Sequence, residues 1–173
     1  MGTKLPDKPL LTPPALAFLE GILTPESCVF EWGSGGSTVW LAGLVGELVS
    51  VEHNKNWFRL VNEALKADGL DARLWRLPPH RITEPMQTYP DNYWDVVLVD
   101  GLDSERCDCV EVARRKVRDG GWLMLDDSQW RKLRPAVRMM RGWRRQDERG
   151  RMRWGPHPGR KKMATFWQKG GGR

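Results

Sequence analysis

The sequence predicts a three-layer α/β domain built on a mostly parallel sheet. Short apolar runs that end in acidic residues recur at intervals that leave room for a helix between them. A glycine-rich turn follows the first of these runs, and apolar residues at helical spacing follow the turn. Residues 96–99 are four consecutive apolar residues, which is typical of a central parallel strand that is buried on both faces.

The length of 173 residues fits one domain with a substantial core. We expect a proline-rich extended arm over 1–14, a single domain over 15–169 and a disordered tail over 170–173. No apolar run approaches the ~18 residues of a membrane span, and no signal-peptide core follows Met1, so we expect a cytoplasmic protein without a membrane partner. Three cysteines and three histidines without paired metal-binding spacing indicate neither a disulfide framework nor a structural zinc site.

The elements can be predicted in chain order. Thr12 as N-cap and Pro13 at the first helical position predict a first helix that ends near 21–25. Asn54 is expected to cap the third helix, and Pro78 to end the third strand. The expected strands are 28–31, 47–53, 72–77, 96–99, 122–128 and 163–168, and the later helices are 38–44, 57–67, 105–118 and a strongly basic helix over 129–142.

The glycine turn within 29–38 has the composition of a cofactor loop. Glycines let backbone N–H groups approach a ligand closely, and the helix that begins near Ser37 directs its N-terminus at that ligand. A dinucleotide fingerprint needs a third glycine where Thr38 stands, which disfavours a dinucleotide-dependent oxidoreductase. Glu52 ends the second strand about twenty residues later. Its carboxylate can accept hydrogen bonds from ribose hydroxyls, or it can be a solvated charge at a strand end.

The Glu-x-Gly-x-Gly pattern of Glu31, Gly33 and Gly35 resembles the first motif of class I S-adenosylmethionine-dependent methyltransferases, and the likeness extends over about 28–127. It implies a Rossmann-like fold with a seven-stranded sheet whose last strand is antiparallel. In that family the loop holds the amino-acid end of the cofactor. The residues expected at the cofactor are Glu31, which positions the loop, with Gly33, Ser34, Gly35, Ser37, Thr38, Glu52, His53 and Asp100.

Four strands end in acids, at Glu31, Glu52, Asp100 and the pair 126–127. Parallel strand ends meet at one edge, so these acids need positive charge among them. Asp100 followed by glycine, with Asp126 and Asp127 after the fifth strand, resembles catechol-type and macrocin-type O-methyltransferases. That resemblance implies Mg²⁺ held by Asp100, Asp126 and Asp127, and oxygen ligands suit this ion. The alternative is that Asp127 or Ser128 caps the following helix.

Catalytic residues are expected after the fourth strand. The catechol-type enzymes place a lysine base there, whereas this chain has 101–104 without one. We expect Asp100, Asp103 or His53 to serve at the reacting centre, with Asp103 or His53 taking the proton. His53 can equally be a helix-cap or surface residue. Methyl transfer mainly needs alignment of the acceptor with the methyl–sulfur bond, so a missing base is a minor objection.

The C-terminal quarter is strongly basic. Residues 131–173 hold 15 of the 28 Lys and Arg residues but 2 of the 22 acids. Such asymmetry predicts an anionic partner, which can be nucleic acid, a phosphorylated or carboxylated small molecule, or the acidic face of a second subunit in a homodimer. The resemblance to catechol-type and macrocin-type enzymes, rather than this charge, implies O-methylation of a small-molecule hydroxyl. The alternatives are an RNA methyltransferase and a non-catalytic nucleic-acid-binding protein.

Overall fold

The chain forms one sheet with helices on both faces. The computed structural model describes residues 5–6 and 8–170. The strands are β1 (Cys28–Trp32), β2 (Glu47–Glu52), β3 (Arg73–Arg76), β4 (Trp94–Val99), β5 (Val117–Leu125), β6 (Arg144–Arg151) and β7 (Lys161–Gln168). Within the described residues, these seven strands follow the order β3-β2-β1-β4-β5-β7-β6. Strand β7 alone is antiparallel to both of its neighbours, and the other pairs are parallel. The predicted fold class is confirmed.

The helices are α1 (Pro13–Ile22), α2 (Gly36–Ala42), α3 (Lys55–Ala67), α4 (Glu84–Gln87), α5 (Arg106–Lys116) and α6 (Arg134–Met139). The predicted N-cap of α3 is confirmed, because the Asn54 side chain accepts hydrogen bonds from the N–H groups of Asn56 and Trp57 at 2.9 and 3.0 Å. Pro13 begins α1 as predicted.

Two apolar cores sandwich the sheet. Alternate strand residues point to opposite faces, so Val29 packs with α1 and α2 whereas Phe30 packs with α5 and α6. All four apolar residues of 96–99 are buried, as predicted for the central strand. In register, Trp32 of β1 lies beside Val51 of β2 and Val99 of β4. The carboxyl ends of these strands therefore meet at one edge of the sheet.

The prediction of a long basic helix over 129–142 is wrong. A 3₁₀ turn spans Arg131–Leu133, and α6 then occupies only Arg134–Met139. Pro135 explains the break, because proline lacks an N–H and is tolerated only in the first turn of a helix. Strand β6 was not predicted, since its sequence contains no apolar residue. Its position at the sheet edge allows most of its side chains to face water.

The predicted ends of the chain fall partly outside the described residues. Of the arm over 1–14, residues 1–4 and 7 lie outside them, and of the tail over 170–173 only Gly170 lies within them. Among the described helices, none is both long enough and apolar enough to cross a membrane.

Candidate active site

A pocket of about 450 Å³ opens at the carboxyl edge of the sheet, between the ends of β1, β2 and β4. Open parallel sheets bind ligands in this crevice, so topology alone makes the pocket the candidate active site. The residues that line it include Leu10, Gly33, Ser34, Gly35, Ser37, Glu52, His53, Trp57, Asp100, Leu102 and Asp103.

The turn after β1 requires glycine at position 33. Gly33 has φ +96°, and a Cβ there would lie 2.6 Å from the carbonyl oxygen of Asp100 and 2.8 Å from the backbone nitrogen of Gly101. The turn therefore passes directly against the end of β4. This close approach brings the Asp100 segment into the same pocket as the glycine turn.

Glu31 lies beneath the turn and organises it. Its Oε1 accepts a hydrogen bond from Ser37 at 2.5 Å, and its Oε2 accepts bonds from Thr38 at 2.5 Å and Ser50 at 2.7 Å. Thr38 Oγ1 in turn accepts the N–H of Gly35 at 2.8 Å. Glu31 is fully buried, and this burial raises its pKa to about 7 although the three hydroxyl groups oppose the shift. The carboxylate thus fixes the turn without lining the pocket.

Glu52 lines the pocket from the end of β2. Its Oε1 accepts the N–H of Asn54 at 2.7 Å and lies 3.0 Å from Nδ1 of His53. Burial raises the pKa of Glu52, while Asn54 and His53 act in the opposite direction. Both contacts involve Oε1 alone. A side chain held in this way at the end of β2 suits the hydroxyl groups of a ribose.

An N-terminal segment over 8–10 lies against the start of α2 and contributes one residue to the pocket wall. Leu10 lines the pocket, and the carbonyl oxygen of Lys8 lies 2.7 Å from where a Cβ of Gly36 would be. Trp154, in the connection between β6 and β7, donates its indole N–H to the carbonyl of Pro9 at 2.7 Å. The expected arm over the surface is therefore part of the pocket wall in this region.

Arg106 organises the side of the pocket that follows β4. Its side chain is buried and donates hydrogen bonds to the carbonyl of Gly101 at 2.9 Å, the carbonyl of Asp126 at 2.7 Å and Oδ1 of Asp100 at 2.9 Å. Asp103 is more exposed, at 39%, and forms ion pairs with Lys132 and, at 3.7 Å, with Arg106. The acids after β4 thus face the pocket with cations behind them.

A family model described as a methyltransferase domain matches residues 30–128, more than half of the chain. The chain belongs to this family. The matched span contains the glycine turn, Glu52 and the segment 100–103 that line the pocket. This methyltransferase has no match among curated protein sequences.

Solved structures share the fold of the methyltransferase. A Bacillus cereus O-methyltransferase in complex with S-adenosylhomocysteine is 15% identical, with a TM-score of 0.77, over 95% of this chain and 84% of that one. A Klebsiella pneumoniae protein provisionally described as an O-methyltransferase is 19% identical, with a TM-score of 0.76, over the same shares of the two chains. An rRNA methylase from Streptococcus thermophilus is 16% identical, with a TM-score of 0.68, over 90% of this chain and 93% of that one.

The protein is a class I S-adenosylmethionine-dependent methyltransferase. The pocket fits the cofactor chemically, because it combines backbone groups of the glycine turn with the Glu52 carboxylate. Its volume lies in the usual range of small-molecule sites. Bound S-adenosylmethionine would supply an activated methyl group, and Gly33, Gly35 and Glu52 are the residues that would hold it.

The residues predicted to bind Mg²⁺ do not fit that ion. Asp126 is 1% exposed and forms an ion pair with Lys162, while Asp127 Oδ2 lies 3.3 Å from Arg160 and 3.8 Å from Lys162. Asp100 is paired with Arg106. Over residues 5–6 and 8–170, no three His, Cys, Asp or Glu side chains are grouped so as to hold a metal ion. The positive charge that the acids need comes from the chain itself.

The structure brings most of the predicted site residues together. Gly33, Ser34, Gly35, Ser37, Glu52, His53, Asp100 and Asp103 line one pocket, whereas Glu31 and Thr38 lie beneath the turn and Asp126 and Asp127 lie among cations. The sequence interpretation missed Leu10, Arg106 and Lys162. No motif marks these three, and only the topology brings them to the site. Trp57, near the start of α3, also lines the pocket.

Proposed function

We propose that this methyltransferase methylates a hydroxyl oxygen of an anionic small molecule that binds on the Asp103 side of the pocket. The observation that carries the proposal is that Lys132 connects the pocket to a cluster of cations. Lys132 pairs with Asp103, which lines the pocket, and its Nζ lies 4.5 Å from the ring centroid of Trp130. The acceptor side thus offers an acid beside the cofactor and cations just beyond it.

The cations around Trp130 suit a negatively charged acceptor. Besides Lys132, the guanidinium carbons of Arg160 and Arg106 lie 5.3 and 5.8 Å from the Trp130 ring centroid. The side chains of Lys132 and Arg160 are 52% and 40% exposed, so they keep N–H donors available to a ligand. Such donors bind carboxylate or phosphate oxygens through charge-assisted hydrogen bonds.

Alignment and proton removal are the two tasks left to side chains. Bound S-adenosylmethionine would supply the methyl group, and side chains of this enzyme would align the acceptor oxygen with it and accept the hydroxyl proton. Asp103 is the proposed base because it lines the pocket and, at 39%, is more exposed than Asp100 at 28%. Nδ1 of His53 contacts Glu52, which supports a role for His53 on the cofactor side.

The proposal is tested with matched acceptors and labelled cofactor. The purified enzyme is incubated with methyl-labelled S-adenosylmethionine and either a hydroxybenzoate or the corresponding neutral phenol, and methyl ethers are detected by mass spectrometry. We expect methylation of oxygen and a higher kcat/KM for the carboxylate. Methylation of nitrogen or carbon only, or a preference for the neutral phenol, would contradict the proposal.

RNA is a second candidate acceptor, supported by the surface of the 3₁₀ turn and α6. Arg131, Arg134 and Arg138 are exposed and form no ion pair with the described part of the chain. One protein of similar fold is described as an rRNA methylase. If RNA is the acceptor, RNA binding measured by electrophoretic mobility shift should weaken steeply as salt is added. The labelled methyl group of the cofactor should also be transferred to the RNA.

A further inference from the structure

Lys162 lies at the start of β7 and reaches the strand-end acids from behind the pocket. Its side chain is 8% exposed and forms an ion pair with Asp126. Its Nζ also lies 3.8 Å from Asp127 Oδ2 and donates a hydrogen bond to the carbonyl of Leu10 at 3.2 Å. Leu10 lines the cofactor pocket, so one ammonium group joins the acids after β5 to the wall of that pocket.

We propose that Lys162 is the permanent counter-ion of Asp126 and Asp127, and that its ammonium group stands where a divalent cation would otherwise bind these acids. The inference concerns the charge balance of the acceptor side. It therefore holds whichever hydroxyl compound or RNA the enzyme methylates.

A fixed cation beside the buried acids opposes the cost of burying their charge. Burial and the nearby Asp100 raise the pKa of Asp126, and Lys162 opposes this shift. Burial works against the charge of Lys162, yet Asp100 and Asp126 hold its pKa above the ordinary value. Removing the cation partner of a buried carboxylate strongly destabilises the folded state. The ammonium is therefore part of the folded structure rather than an optional contact.

The neighbouring cations leave little room for a second ion. Arg160 lies 3.3 Å from Asp127 Oδ2, and Arg106 is bonded both to the Asp126 carbonyl and to Asp100. Mg²⁺ requires near-octahedral oxygen ligands at short distance, so it would have to displace these groups. Removing Lys162 leaves Asp126 Oδ2 without its cation partner and Asp127 Oδ2 with Arg160 alone, so a metal ion would then compete with one guanidinium group.

The test compares metal binding in Lys162→Gln with the wild type by calorimetric titration with MgCl₂ and MnCl₂. We expect no saturable heat from the wild type, and a new site in K162Q with Kd of about 1 mM or tighter. Lys161→Gln is the matched control, because Lys161 is the exposed neighbour on β7 and should behave like the wild type. Lys162→Arg keeps the charge and should gain no site, and adding Asp126→Asn to K162Q should abolish the new one.

Two results would overturn the proposal. One is saturable Mg²⁺ binding by the wild type that K162Q leaves unchanged, and the other is a folded K162Q that binds neither metal. If K162Q does not fold, a stability cycle replaces the titration. We then expect the double variant D126N/K162Q to recover a cooperative melting transition that K162Q lacks, because the buried charge leaves with its partner. A double variant that is no more stable than K162Q would overturn the proposal. The methylation assay tests the proposed function separately, whichever result is obtained here.

Discussion

The hydroxyl group of Ser50 on β2 donates a hydrogen bond to Glu31 Oε2 on β1 at 2.7 Å. Ser50 and Glu31 are partners in the register of the two parallel strands. The same carboxylate also accepts hydrogen bonds from the hydroxyl groups of Ser37 and Thr38. One buried acid therefore fixes the glycine turn against two strands and the start of α2.

Glu31 makes the stability of the enzyme depend on pH. Its pKa is about 7 in the folded state against 4.5 as the ordinary value, so the folded state keeps a proton in this window that the unfolded state releases. The free energy of unfolding therefore falls as pH rises from 4.5 to about 7. The contribution of Glu31 to this fall is about 3 kcal/mol, taking 1.36 kcal/mol for each pKa unit.

Chemical denaturation of wild type and Glu31→Gln at about pH 5 and about pH 8 measures this contribution. The stability difference between the two proteins should shift by about 3 kcal/mol between these conditions, in favour of E31Q at the higher pH. Glu63→Gln is the control, because Glu63 is exposed on α3 and should follow the wild type. Parallel pH curves for E31Q and wild type would refute the assignment.

Gly33→Ala should damage both the fold and the cofactor site. The positive φ and the 2.6 Å approach to Asp100 leave no space for a Cβ. We expect a loss of roughly 2–4 kcal/mol in the free energy of unfolding. Gly21→Ala is the matched control, since a Cβ at Gly21 meets nothing within 4 Å and alanine favours the helix. Equal stability of the two variants would contradict the geometry.

Asp103→Asn separates catalysis from cofactor binding. We expect kcat to fall by about 10²-fold or more, with the Kd for S-adenosylhomocysteine unchanged, because Asp103 is the proposed base. His53→Asn should show the opposite pattern, a raised Kd with a small change in kcat, since Nδ1 of His53 contacts Glu52. Steady-state kinetics and calorimetry on the two variants distinguish these roles. If D103N keeps full kcat while H53N loses it, the two roles are exchanged.

Lys132→Gln should weaken binding of the acceptor. The variant removes one exposed cation beside Trp130, so the KM of an anionic acceptor should rise by roughly 10-fold while that of a neutral acceptor changes little. Arg118→Gln is a suitable control, because Arg118 pairs with Asp95 in β4, away from the residues that line the pocket. Equal changes for charged and neutral acceptors would argue against recognition of charge.

The grouping of the expected cofactor-side residues around one pocket was predictable because its signals are local in sequence. Gly33, Gly35 and Glu52 stand at fixed distances after apolar runs, and parallel topology then brings the strand ends together. The acceptor side was not predictable in the same way. Lys162 follows Asp126 by 36 residues and reaches it only because β7 runs antiparallel beside β5. The acids alone predicted a metal site, because no sequence pattern near them indicates that Lys162 lies beside them.

The fold shows the same limit. Strand β6 carries no apolar pattern, since an edge strand can be held by backbone pairing with β7 alone. The basic residues before β6 have apolar residues at helical spacing, which predicts a long helix. Pro135 must lie in the first turn of a helix, so the helix is restricted to Arg134–Met139. Patterns that reflect burial were predictable, and elements held by pairing or broken by a single residue were not.

The most direct measurement is calorimetric titration of the enzyme with S-adenosylhomocysteine, for the wild type and for Glu52→Gln. If the pocket holds the cofactor through Glu52, the wild type binds with Kd of about 1–100 μM and E52Q binds at least about 10-fold more weakly, because a hydrogen bond to a charged group is lost. Glu63→Gln should bind as the wild type does. The absence of binding by the wild type, or equal affinity of wild type and E52Q, would contradict the account.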